Sequence, residues 1–288
     1  MVRQSLRALP LGAVVLLSTL TLAPARAAAV TPLTDCADLT KAGETYVVTA
    51  DSIDTTNLVC FRVLADRITI DLAGRTITGA GAIQSVAIWD TGVARISTVV
   101  KNGNIRNFGF GIFLSASTRN TVRSVDTSDN GTGMTIGNTS LVKDCTVQRN
   151  VSHGIVAGNS VQVEDCYVGG TGGSDANGGF GVLGGQRMLV TRNRVNGNGE
   201  GGIFVGINST VTHNTANQNN GDGIAVGIRS LVSNNTANNN AADGIEAVCP
   251  STITHNTASG NGELNFNLID IGQGNCHFQH NTEGSDPV

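Results

Sequence analysis

From residue 111 onward the chain repeats one pattern of apolar and polar positions. A glycine followed by an aliphatic residue recurs at Gly111-Ile112, Gly133-Met134, Gly154-Ile155, Gly181-Val182, Gly202-Ile203, Gly223-Ile224 and Gly244-Ile245, in steps of 22, 21, 27, 21, 21 and 21 residues. Asn193, Asn214, Asn235 and Asn256 keep the same step inside the words TRNRV, THNTA, SNNTA and THNTA, and a third series runs through Asn198, Asn219, Asn240 and Asn261. Each unit reads as three short β-segments separated by bends, for example Gly-Ile-Phe-Val, Ser-Thr-Val-Thr-His and Thr-Ala-Asn. Strand-length alternation inside a fixed period predicts a solenoid.

A unit this short cannot bury its own apolar face, so its coils must stack in parallel at ~4.8 Å per step. Stacking predicts an inward column of Ile112, Met134, Ile155, Val182, Ile203, Ile224 and Ile245. Leu114, Ile136, Ala157, Val205, Val226 and Ala247 continue it two residues later. The asparagine columns are expected at bends, where side-chain amides pair between neighbouring coils. The glycine before each aliphatic residue is expected to supply the unusual backbone angles of a corner.

Composition narrows the class. The 288 residues include 37 Gly and 29 Asn but only 8 Phe, 2 Tyr and 1 Trp, with 40% in the hydrophobic set. That is too much Gly and Asn for helices and too much apolar material for a disordered chain. Residues 1–27 read as an export signal: Arg3 and Arg7, an apolar run from Leu9 to Leu22, then the cleavage word Ala25-Arg26-Ala27. No later segment is long and apolar enough to span a bilayer. Without residues 1–27 the chain carries 15 basic against 22 acidic groups, or −7, which argues against a nucleic-acid partner. Secretion into oxidising surroundings suits six cysteines: Cys36, Cys60, Cys145, Cys166, Cys249 and Cys276. They show no metal-binding spacing, and their order along the chain suggests local pairs without fixing them.

The repeat resembles the right-handed parallel β-helix of the pectate-lyase-like superfamily, over about Ile68 to Asn281. Its nearest likeness is to repeat-rich members with the word N-x-V-x-x-N-x-A/V-x-x-N-x-x-x-G-I. The resemblance implies an all-β chain: an N-terminal cap and first coil over 28–67, then one β-helix over 68–288 with a C-terminal cap. At about 21 residues per coil this gives roughly ten coils. Cys36-Ala-Asp-Leu opens a short segment that a capping helix would fit. The Ile68 to Ile77 and Val99 to Ile105 segments look like offset copies of one coil. Open solenoid ends expose strand edges, which gives Cys36 with Cys60, and Cys249 with Cys276, a purpose in capping. Cys145 and Cys166 fall at one place on consecutive coils and are either bonded or buried thiols.

The superfamily also includes lyases, hydrolases, epimerases and adhesins, so it leaves activity open. The polygalacturonase-like words are missing, as is the Asp-Pro-His-Asp word of alginate epimerases. The outward residues Phe113, Thr135, Val156, Leu183, Phe204, Ala225 and Glu246 form a mostly apolar stripe, unlike the polar groove of polysaccharide-cleaving relatives. Asp222, Asp243 and Glu246 gather on the last coils and read either as a calcium site or as turn chemistry. Asp144, Asp165, Arg192, His213, Asn234, His255 and His280 form another column, read as ion ligands with a base or as a solvated stripe. Solenoid insertions map to one face, so the long coil between Gly154 and Gly181 makes His153, Asp175 and Arg187 candidate ligand-binding residues. The expected function is a secreted β-helix that binds an extracellular polysaccharide or a surface protein without a recognisable catalytic centre. A calcium-dependent polysaccharide lyase is the alternative, with calcium as its cofactor, and His255 with His280 could share a soft metal.

Overall fold

The computed structural model describes residues 30–170 and 175–285; the segment 1–27 expected to be an export signal lies outside the described residues. Strands of two to eight residues pair in parallel into sheets of 17, 11 and 3 strands, and no α-helix occurs among the described residues. The 11-stranded sheet takes one strand from each coil, so the described residues form about eleven coils, in line with the roughly ten expected. The capping helix expected after Cys36 is instead the strand Ala37–Leu39, paired in parallel with Val59–Val63. Its neighbours already stack as a coil, so the ladder itself supplies the hydrogen bonds a separate cap would have to provide.

Each coil contributes three inward columns. On the 11-stranded sheet Ile88, Ile112, Met134, Ile155, Val182, Ile203, Ile224 and Ile245 lie in register and are buried. On the second face Val100, Val122, Val142, Val163, Val190, Val211, Val232 and Ile253 do the same. β-branched residues suit such positions because one rotamer repeats along the stack. The third face narrows from Ile105 and Val147 to Ala216, Ala237 and Ala258. The second and third faces merge into the 17-stranded sheet because Val99–Arg106 and Thr121–Ser128 run unbroken through their bend, with Asn102 and Ser124 at positive φ.

Polar ladders fill the corners. Asn193, Asn214, Asn235, Asn256 and Asn281 form one, in which each backbone N–H and each Nδ2 donates to Oδ1 of the next coil at 2.8–3.0 Å. A second joins Asn130, Asn150, Asn177, Asn198, Asn219, Asn240 and Asn261, three rungs longer than the repeat words reveal. At the third corner the hydroxyls of Ser209, Ser230 and Ser251 accept backbone N–H groups of the preceding coil at 3.1 Å. These bonds pair backbone groups that burial would otherwise leave unsatisfied.

The repeated glycines serve a purpose other than the expected one. Gly111, Gly133, Gly154, Gly181, Gly202, Gly223 and Gly244 do not adopt positive φ; residues such as Asp165, Arg192, His213 and Asn234 do. A Cβ on Gly202, Gly223 or Gly244 would stand 2.5–2.6 Å from Nδ2 of the ladder residue beside it. Glycine is needed there for space under the amide, not for backbone freedom.

Candidate functional site

The outer side of the 11-stranded sheet presents a register-matched column through Trp89, Phe113, Thr135, Val156, Leu183, Phe204, Ala225, Glu246 and Asn267. A parallel column stands just before the repeated glycines. His153, Phe180, Gly201, Asp222, Asp243 and Leu264 occupy it, their carbonyls each accepting from the glycine N–H of the preceding coil. One face therefore carries aromatic rings on its middle coils and carboxylates on its last ones.

The aromatic part is built rather than scattered. The His153 and Phe180 rings lie 5.9 Å apart, and Phe180 lies 5.6 Å from Phe204, which is 43% exposed. The Phe180 backbone N–H donates to His153 Nδ1 at 3.0 Å, which fixes the imidazole. Both rings rest on glycine: a Cβ on Gly179 would come 2.4 Å from His153 Nδ1, and one on Gly201 would come 2.8 Å from the Phe180 ring. On an earlier coil Phe110 and Phe113 meet edge to face at 4.9 Å, beside a groove of about 570 Å³ lined by Ile83, Phe110 and Val151.

The carboxylates continue this face. Asp222 Oδ1 accepts the Asp243 N–H at 3.0 Å; Asp243 in turn accepts the Leu264 N–H at 2.9 Å and Asn267 Nδ2 at 2.7 Å. Burial pushes the Asp222 carboxyl up, and the Asp243 charge adds to it. Burial likewise raises Glu246, helped by Asp222, Asp243 and Glu263. Both oxygens of Asp243 are thus engaged at the corner. Among the described residues no three His, Cys, Asp or Glu side chains are grouped to hold a metal ion.

The three residues chosen from the long coil have separate partners. His153 joins the aromatic run. Asp175 lies 3.6 Å from Arg149, itself paired with Asp129 at 2.8 Å. Arg187 stands at positive φ in the bend between the strands Val182–Gly184 and Leu189–Thr191, where its Nε donates to Ser160 Oγ at 3.3 Å. In the bend column Arg192 pairs with Asp165 at 2.7 Å and Glu164 at 3.0 Å, while Lys143 reaches the same two acids at 3.5 and 3.1 Å. His255 and His280 stack at 4.9 Å. Phe180 escaped the sequence reading; it precedes Gly181 as His153 precedes Gly154, and that offset in the repeat is the signal that marks it.

Charge is uneven along the axis. Residues 195–288 hold eight acids and one basic residue, Arg229, apart from histidines.

No curated protein matches the sequence. Among solved structures the chain is similar to the A-module of the Azotobacter vinelandii mannuronan C-5 epimerase AlgE6, with 12% identity and a TM-score of 0.62, covering 87% of this chain and 86% of that one. It is also similar to the periplasmic alginate epimerase AlgG (12%, TM-score 0.52, 83% and 76%). The Dettilon tailspike protein is a third (12%, TM-score 0.55, 81% of this chain and 53% of that one). At such identities the likeness is one of fold. The family described as "Right handed beta helix region" matches residues 137–282, half of the sequence. With its eleven stacked coils and internal amide ladders, the chain belongs to the right-handed β-helix family.

Proposed function

We propose that this protein is a secreted β-helix that binds an extended extracellular polysaccharide along the outer side of the 11-stranded sheet. The observation that carries this reading is the run of His153 and Phe180, both seated on glycines, and Phe204, at 5.9 and 5.6 Å. Sugar rings present apolar C–H faces, and rigid aromatic rings offer matching surface at little entropic cost. Coils repeating at ~4.8 Å suit a ligand that is itself a linear repeat. On this reading the long-coil residues Asp175 and Arg187 would contact substituents of a ligand that extends past the run. The acid excess of residues 195–288 opposes polyanions there, so neutral glycans fit this face better than polyuronates.

A second reading, a calcium-dependent polysaccharide lyase, draws on the crowding of Asp222, Asp243 and Glu246, whose charges a cation would offset. It requires Asp243 to exchange its corner partners for the ion. Titration of the protein with neutral and uronate oligosaccharides, watched by calorimetry and by absorbance of unsaturated products, separates the two. Binding of a neutral oligosaccharide that Phe204→Ala weakens at least tenfold, without product, is the expected result. Calcium-dependent product formation from a uronate would replace this reading with the lyase.

A further inference from the structure

The cysteines in the middle of the solenoid offer chemistry that neither the binding face nor the caps use. Cys145 and Cys166 are free thiols, 2% and 3% exposed. Lys143 pairs with Glu164 and Thr146 with Tyr167 in the parallel ladder, which places Cys145 and Cys166 directly opposite each other on consecutive coils. They head the first asparagine ladder, for the Cys166 backbone N–H donates to Asn193 Oδ1 at 2.9 Å. Each thiol also donates to the carbonyl two residues earlier, of Lys143 and Glu164, at 3.2 Å.

The disulfide Cys36–Cys60 shows what this arrangement allows. It too joins opposed residues of consecutive coils, next to the Ala37 and Phe61 pair, at a Cα separation of 4.4 Å. The coil step of ~4.8 Å falls within the ~4.4–6.8 Å that a disulfide spans. We propose that Cys145 and Cys166 are a third inter-coil disulfide site, closed by thiol–disulfide exchange with a low-molecular-weight disulfide while the chain folds.

The exchange balances in two steps. One cysteine thiolate attacks a sulfur of the small disulfide, giving a mixed disulfide and releasing one small thiol. The second cysteine then attacks the sulfur of the first and releases the other small thiol. Two cysteine thiols are oxidised by two electrons, one small disulfide is reduced to two thiols, and these carry the two protons. Once the coils close, burial shields both sulfurs, so whichever redox state is trapped persists in the folded protein.

The test is to refold the full reduced chain with oxidised and reduced glutathione, denature it, count thiols with a maleimide and map the peptides. The expected product has no labelled thiol and a peptide linking Cys145 to Cys166, alongside Cys36–Cys60 and Cys249–Cys276. Cys166→Ser should then show one labelled thiol, on Cys145. Should the wild type carry the two cap disulfides but two labelled thiols at Cys145 and Cys166, or should Cys145 link elsewhere, the proposal is wrong.

Discussion

Gly223 lies beneath the side-chain amide of Asn240: a Cβ on the glycine would stand 2.5 Å from Asn240 Nδ2 and 2.7 Å from the Gly244 carbonyl oxygen. The repeating glycine and the repeating asparagine are therefore two halves of one packing unit, seventeen positions apart in sequence and in contact in space.

Gly223→Ala should accordingly cost about 1–3 kcal/mol, the range for overpacking a tight interior. Gly221→Ala, where the nearest atom to a Cβ is 3.2 Å away, should cost less. Urea unfolding of both variants decides this, and equal midpoints would mean that the ladder amide simply shifts aside.

Asn235→Leu should destabilise more than Asn238→Leu. Asn235 is buried; its oxygen serves the N–H and Nδ2 of Asn214, and its own Nδ2 donates to Asn256 Oδ1 and the Val211 carbonyl. Asn238 lies in a half-buried strand position, where its oxygen accepts only from Ser259 Oγ. Each buried group left unpaired costs about 1–3 kcal/mol, so a thermal melt should separate the two variants by several degrees.

The carboxyls of Asp222 and Glu246 are raised in the folded state, chiefly by burial. The folded protein then holds these protons to higher pH than the unfolded chain. Their contribution to stability is full below the unfolded carboxyl range and is lost as pH rises through the folded value. Asp222→Asn with Glu246→Gln should remove this loss. The variant's melting temperature should gain on the wild type from acid toward neutral pH, and a difference that does not vary with pH would refute the assignment.

Asp243 already meets a backbone N–H and an amide with its two oxygens. Millimolar calcium is therefore expected to leave the melting temperature unchanged relative to chelator, in the wild type and in Asp243→Asn alike. A calcium-dependent rise in the wild type that Asp243→Asn abolishes would instead show that the corner opens to take an ion.

Period and alternation made the solenoid legible, because residues such as Ile155, Val182 and Ile203 must all face inward for any coil to bury them. The cap pairs Cys36–Cys60 and Cys249–Cys276 were legible for a similar reason, since only neighbouring coils come close enough to be bridged. The purpose of Gly223 was not, because open space and positive φ leave the same mark in a sequence. Asn130, Asn150 and Asn177 were hidden by the irregular coils around them, where the step departs from 21. The aromatic run was half visible: Phe204 lies in the outward stripe, but its contact with Phe180 joins two different columns on neighbouring coils, which one-dimensional spacing does not reveal.

The amide ladders also have a direction. Between successive asparagines such as Asn214, Asn235 and Asn256, or Asn219, Asn240 and Asn261, the amide donates toward the C-terminal coil and accepts from the N-terminal one, so these side-chain dipoles point the same way along the axis. The positive ends of both stacks emerge among the last coils, in the stretch where eight acids stand against one arginine. Surface acids thus gather toward the end to which the aligned amides point their N–H groups, as acidic side chains gather at the start of an α-helix.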